Sequence, residues 1–221
     1  MAKYKNKYRL ESTRLPHWDY GANALYFVTI CCQNRHCFFG HIANKKMIVS
    51  DIGKMAEKYW LEIPQHFPFV VLHNHVVMPN HVHGIIEIAK TDDGDVGGGV
   101  DGMDVGGGVV ETQNFASLRT DATQQPMESI QKMQQSNKNT NKNKFGPQSK
   151  NLASIIRGFK IGVTKNARRY EKTQNNVPIS FSWQPRYHDH IIRNNKSYQN
   201  ISNYIINNPN NWKEDTFYTK Y

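Results

Sequence analysis

The stretch LHNHVVMPNHVHGIIEI, residues 72–88, carries two His-x-His pairs, and a third pair, His188 and His190, follows in YHDHII. Six of the chain's ten histidines therefore fall in one pattern. In an extended segment residues i and i+2 point to the same face, so each pair presents two imidazoles side by side. Two convergent imidazoles are half of a site for a divalent metal; solvated or hydrogen-bonded histidines are the alternative for any single pair. Three features set His81 and His83 apart. They open a strand directly after a turn, where side chains project at a sheet end. Their middle residue, Val82, is apolar and can anchor in the core. The run then continues as GIIEI, which holds the pair rigidly. HNH and HDH have polar centres, Asn74 and Asp189, although His75 is placed to lie across the hairpin from His83.

A second group sits near the C-terminus, in NKSYQNISNYIINNPNNW, which reads as a helix that Pro209 stops. Tyr198, Ile201 and Ile205 form its apolar stripe. Tyr204 lies on the flank of that stripe, where a phenol can protrude towards a neighbouring site. Tyr204 and Asn208 are spaced i, i+4 and share one helix face. Interfacial packing for Tyr204 and C-terminal capping for Asn208 are the plainer roles.

A chain of 221 residues is long enough for one well-packed core to position these groups. Lys and Arg number 28 against 18 acids, a formal charge of +10, which suits a polyanionic partner such as nucleic acid. Cys31, Cys32 and Cys37 are odd in number and lack CxxC spacing, so they read as free thiols in a reducing compartment. No apolar run approaches the ~20 residues of a membrane span. MAKYKNKYRLESTR is basic without an apolar core and reads as an arm over residues 1–16, not as a secretory signal.

Residues 17–221 read as one domain with an interruption. ALYFVTICC is a strand, and SDIGKMAEKYWLEIPQHF is a helix capped at Ser50 or Asp51 that ends near Pro64. FVVLHNHVV and HVHGIIEI are two strands around the MPN turn. Residues 91–148 contain DVGGGV twice and an Asn/Lys/Gln-rich tract, too polar to offset their ordering entropy, and read as a flexible insertion. SKNLASIIRGFKIGVTKNARRY is a helix, and ISFSWQPRYHDHIIR is extended. The order β-α-β-β-(insertion)-α-β-α predicts an α+β, ferredoxin-like sandwich with helices on one face of an antiparallel sheet. The helix from Lys150 to Lys172 carries Lys150, Arg157, Lys160, Lys165, Arg168, Arg169 and Lys172 against the single acid Glu171, and is expected to follow a phosphate backbone unless it is simply a solvated face. Arg186 and Arg193 flank YHDHII and are expected to line the same cleft.

VVMPNHVHGIIEI, LASIIRGFK, WQPRYHDHIIRN and YIINNPNNW, in collinear order, together resemble the REP-associated tyrosine transposases, in the single-tyrosine branch of the HUH endonucleases. GANALYFVTICCQNRHCFFG resembles the family's first strand region. The resemblance covers most of the chain outside residues 91–148, an insertion larger than the family's usual connection. It implies a ferredoxin-like fold and a divalent metal, Mg²⁺ or Mn²⁺, held by the motif histidines His81 and His83. It implies Tyr204 as a nucleophile that attacks single-stranded DNA and forms a 5′-phosphotyrosine. Asn208, one turn on, is the candidate third metal ligand through its amide oxygen. Single-stranded or hairpin DNA is then the partner, the location is cytoplasmic and nucleoid-associated, no membrane is involved, and the chain acts as a monomer or homodimer. Two other classes compete. A non-catalytic nucleic-acid-binding module of the same fold would show exposed RNP-type aromatics, and no RGFGFV-like run is present. A zinc-stabilised structural protein would pair cysteines with histidines in ligand spacing, which is absent.

Overall fold

The computed structural model describes residues 3–4, 7–8, 14–91, 149–173 and 180–219. The expected insertion lies outside the described residues, as does the basic arm apart from Lys3–Tyr4 pairing antiparallel with Lys7–Tyr8 and the stretch from Arg14. The β-branched and aromatic run Ala24–Cys31 forms β1. A hairpin that the sequence reading did not assign follows, β2 (Gly40–Ala43) and β3 (Lys46–Val49). Its two-residue turn places Asn44 at φ 51° and Lys45 at φ 61°, the twist that a tight hairpin demands. Helix α1 (Asp51–Leu61) starts at Ser50, whose side chain accepts from Gly53 N at 3.0 Å. It ends before Pro64, which sits instead in the first turn of a short α2 (Ile63–His66).

Strands β4 (Val70–Met78) and β5 (His81–Ile88) flank a turn at Pro79 and Asn80. The long helix α3 (Leu152–Thr173), β6 (His188–Ile192) and α4 (Asn195–Asn207) complete the fold. The four-stranded sheet runs β4-β5-β1-β6, with every neighbouring pair antiparallel, an α+β sandwich. Among the described residues no helix is long and apolar enough to cross a membrane.

Alternation along the strands separates two apolar clusters. Tyr26, Val28, Ile30, Val82 and Ile86 pack with Ile155, Ile156, Phe159 and Val163 of α3 and with Trp60 of α1. Leu25, Ile85 and Ile192 pack on the other side with Tyr198 and Ile205 of α4. The helices therefore cover both faces, not one: α1 and α3 lie on the first, and α4 is the only described helix on the second. Because β5 alternates, Val82 enters the main core while His81 and His83 turn to the side of α4.

Gly84, next in the strand, faces the ring of Trp60, which fills the space a Cβ would take. Gly84→Ala is expected to lower unfolding free energy by about 1–3 kcal/mol in a denaturant titration. An unchanged midpoint would show that the indole has room to retreat.

Candidate active site

Strand register and turn chemistry aim the two imidazoles together. His83 stands opposite Thr29 of β1, and its Nδ1 is 2.9 Å from the Thr29 hydroxyl. His81 Nδ1 donates to the Asn80 side-chain oxygen at 2.8 Å, so its Nε2 is the lone-pair nitrogen. The ring centroids are 4.3 Å apart. His81 Nε2 is buried and has no hydrogen-bond partner, and His83 Nε2 is 3.2 Å from the Tyr204 hydroxyl. A buried lone pair with no donor facing it is costly unless something else occupies the space.

The third group at this point is Asp215. His81, His83 and Asp215 each offer a ligand atom, all within 4.8 Å of one another. Asn208 Nδ2 donates to Asp215 Oδ2 at 2.8 Å, and Phe217 N donates to Oδ1 at 2.7 Å. Asn208 is thus the residue that holds Asp215 in place, and its own Oδ1 is buried without a hydrogen-bond partner. It is also the C-cap of α4. Two neutral imidazoles and a carboxylate suit a divalent first-row ion or magnesium by donor type. Sequence reasoning missed Asp215. It sits beyond the helix stop in a terminal stretch whose approach to the histidines no local periodicity encodes.

Burial dominates the titration of the pair. It pushes His81 well below the usual imidazole range, with the neighbouring His83 and Arg35 adding to the effect. It pushes His83 down to about 4, against the attraction of Asp215. Both rings are therefore neutral near pH 7. A folded-state pKa below the unfolded value means that stability is full above about 6.5 and drains as pH falls towards about 4, because only the unfolded chain takes up the proton easily. Chelator-treated protein should lose up to about 3 kcal/mol from His83 alone across that window. Denaturant midpoints measured against pH test this, and a flat profile would mean that the pair is solvated.

Tyr204 is half-exposed on the flank of α4, with its ring 5.2 Å from that of His83 and edge-on to Phe27 at 6.2 Å. Burial and the Asp215 carboxylate raise its pKa, and the Asn208 side chain opposes them, so the phenol is protonated at neutral pH. The C-terminal stretch closes over the histidines. Phe217 lies 4.7 Å from the His81 ring and Trp212 6.0 Å, with Asn80 Nδ2 donating to Phe217 O and Arg35 to Thr216 O.

No family model matches the chain. An uncharacterized protein of Haemophilus influenzae is 37% identical over 207 residues, which cover 94% of this chain and 92% of that protein. The chain belongs to that protein's family. Among solved structures, a REP-associated tyrosine transposase bound to a REP hairpin aligns with a TM-score of 0.45 and 17% identity, over 95% of this chain and 73% of that one.

The other histidines lie elsewhere. His75 stands opposite Gly84, bonds Glu57 at 2.8 Å and stacks on Trp60, so it faces away from His83, contrary to the sequence expectation. His73 is held between Glu87 at 2.8 Å and the Tyr198 hydroxyl at 3.2 Å. His188 and His190 are exposed on β6.

The cations divide between two cavities. Arg157, Lys160, Lys165 and Arg168 of α3 line a groove of about 760 Å³ with Arg186. Arg169 is exposed and does not line that groove. Lys160 donates to the carbonyls of Gln184 and Arg186, and burial brings its pKa down to about 8. Arg193 lines a different cavity, with Arg14, so it does not share a cleft with Arg186 as the sequence suggested. The α3 groove belongs to the helix layer on the face opposite Tyr204.

Proposed function

We propose that the chain is a metal-dependent nuclease and strand transferase of the REP-associated tyrosine transposase type, acting on single-stranded, hairpin-forming repeat DNA through Tyr204. The observation that carries this reading is the convergence of the Tyr204 hydroxyl, His83 Nε2, the partnerless His81 Nε2 and Asp215 in one place. A divalent cation, Mg²⁺ or Mn²⁺, held there by His81, His83 and Asp215, with the Asn208 oxygen as a further candidate ligand, supplies charge neutralisation and polarisation of a phosphodiester.

The chain's own residues do the rest. Thr29 and Asn80 fix the two ring orientations, so the lone pairs need no reorganisation. Helix α4 carries the phenol to the same point and keeps it half-exposed, open to a strand end. In the reaction a Tyr204 Oη–P bond forms as the P–O3′ bond breaks, the phenolic proton is lost and the departing 3′-oxygen gains one. The products are a 5′-phosphotyrosine and a 3′-hydroxyl. A second 3′-hydroxyl reverses the exchange, so strands are rejoined without ATP. The basic α3 groove and Arg193 grip phosphates away from the reacting bond. A DNA substrate agrees with a cytoplasmic, nucleoid-associated location.

The competing reading, a binding module without catalysis, draws on one fact: His81 and His83 are 0% and 1% exposed beneath Phe217 and Trp212. Labelled hairpin DNA incubated with the protein and Mn²⁺, then denatured, separates the two. Nuclease action predicts a denaturation-resistant adduct that a chelator prevents; a binding module retains the hairpin and forms none.

A further inference from the structure

Strand β6 is one of the two edges of the sheet, paired with β1 alone among the described residues. Beside it lies a cavity of about 660 Å³, whose wall includes Arg14, Tyr20, Asp189, Arg193 and Ser197. That volume is within the range of small-ligand sites, roughly 300–1,000 Å³.

Three observations give the cavity the chemistry of a nucleotide site. Arg14 lays its guanidinium over the rings of Tyr20 and Tyr187, at 5.3 and 5.2 Å, and donates to the Tyr187 hydroxyl at 2.7 Å. A long, mobile cation is thereby fixed before a ligand arrives, which lowers the ordering cost of binding. Arg193 faces the same cavity together with the first turn of α4, where Asn194 caps Ser197 N at 2.8 Å. Two guanidiniums and a helix start favour a phosphate. Asp189 then places a carboxylate among these cations. A site for phosphate alone is weakened by a carboxylate, whereas a base edge that carries an amino group is recognised by one.

The position is also suitable. The cavity wraps the β6 edge: Asp189 is in register with Val28 of the main core and turns to the α3 side, while His190 is in register with Phe27, whose ring contacts both His83 and Tyr204 on the α4 side. Ser197 and Tyr204 are seven residues apart on α4, about 10 Å along the helix and nearly on one side of it.

We propose that this cavity is a subsite for one unpaired nucleotide of the strand that reaches Tyr204. Its phosphate lies between Arg14, Arg193 and the start of α4, and its base presents an amino group to Asp189. The inference rests on the reading of Tyr204 as acting on single-stranded DNA, and it names a contact that holds the strand at the β6 edge, away from the cleaved bond.

The test is metal-free binding of short fluorescent oligo-dC and oligo-dT to the full chain, followed by anisotropy. Oligo-dC, which carries amino groups, should bind several-fold more tightly than oligo-dT, which has none. Asp189→Ala should remove that preference. Arg193→Gln should weaken both by about tenfold and reduce the salt slope by about one phosphate. Arg14→Gln should do the same, and Arg14→Lys should recover part of the loss if charge and not folding is at stake. Lys54→Gln, an exposed cation on α1, serves as the reference and should bind like the parent chain. Equal binding of the two oligonucleotides by the parent chain, or unchanged affinity in Arg193→Gln, overturns the subsite. Because no metal is present, the outcome is independent of adduct formation. Loss of affinity in Arg193→Gln from a chain that forms no adduct leaves the subsite standing and removes the nuclease reading.

Discussion

Tyr204→Phe should bind hairpin DNA as the parent chain does and form no covalent adduct. The ring keeps its contacts with Phe27 and His83, and only the hydroxyl 3.2 Å from His83 Nε2 is removed. The side chain is 43% exposed, so little core packing is at risk. Without a nucleophile the covalent route is closed, and the loss should exceed about a thousandfold instead of a partial reduction. The other tyrosines near α4 and β6 are committed elsewhere. Tyr187 accepts from Arg14 and has its pKa pushed up to about 12 by burial. Tyr198 is buried against His73, and Tyr218 packs on Trp212 at 5.5 Å. An adduct that survives in Tyr204→Phe would transfer the role to one of these.

His81→Ala and His83→Ala should each abolish metal-dependent cleavage and leave hairpin binding largely intact. Each removes one of the two aligned nitrogens, and no other histidine can substitute. His188→Ala, exposed on β6, should cleave normally. His73→Ala is a poor reference despite its place in a His-x-His pair. Its loss removes the 2.8 Å bond to Glu87, whose side chain is 9% exposed, so that variant should lose stability by about 1–3 kcal/mol. Mn²⁺ titrations of cleavage, with melting curves of each variant, separate lost metal from lost fold. Unchanged Mn²⁺ dependence in His81→Ala would mean that the metal is held elsewhere.

Much of this site is visible in the sequence because its key spacing is local. The period of two in His81-Val82-His83 puts Val82 in the core and both imidazoles on the opposite face. The i, i+4 spacing does the same for Tyr204 and Asn208, and the stripe of Tyr198, Ile201 and Ile205 does pack beneath them. What depends on non-local pairing is not visible. Asp215 reaches the histidines only because the chain turns back after Pro209 and Asn208 fastens it there. His75 looked adjacent to His83, but the register irregularity between Leu72 and His75 sets it opposite Gly84. The basic helix resembled part of the cleft because its charge is local. Its face is decided by Ile155, Phe159 and Val163 docking on the side away from α4. The hairpin 40–49 was missed because its turn is Asn44-Lys45, and lysine is not a residue that signals positive φ.

The most direct measurement is the location of the DNA on the protein. The parent chain, incubated with hairpin DNA and Mn²⁺, is digested with trypsin and then with nuclease, and the phosphorylated peptide is fragmented in a mass spectrometer. The tryptic peptide 197–213 contains both Tyr198 and Tyr204, so fragmentation must choose between them. The phosphate should lie on Tyr204. Phosphate on Tyr198 or on any peptide outside 197–213, or no adduct in the presence of Mn²⁺, would contradict the account.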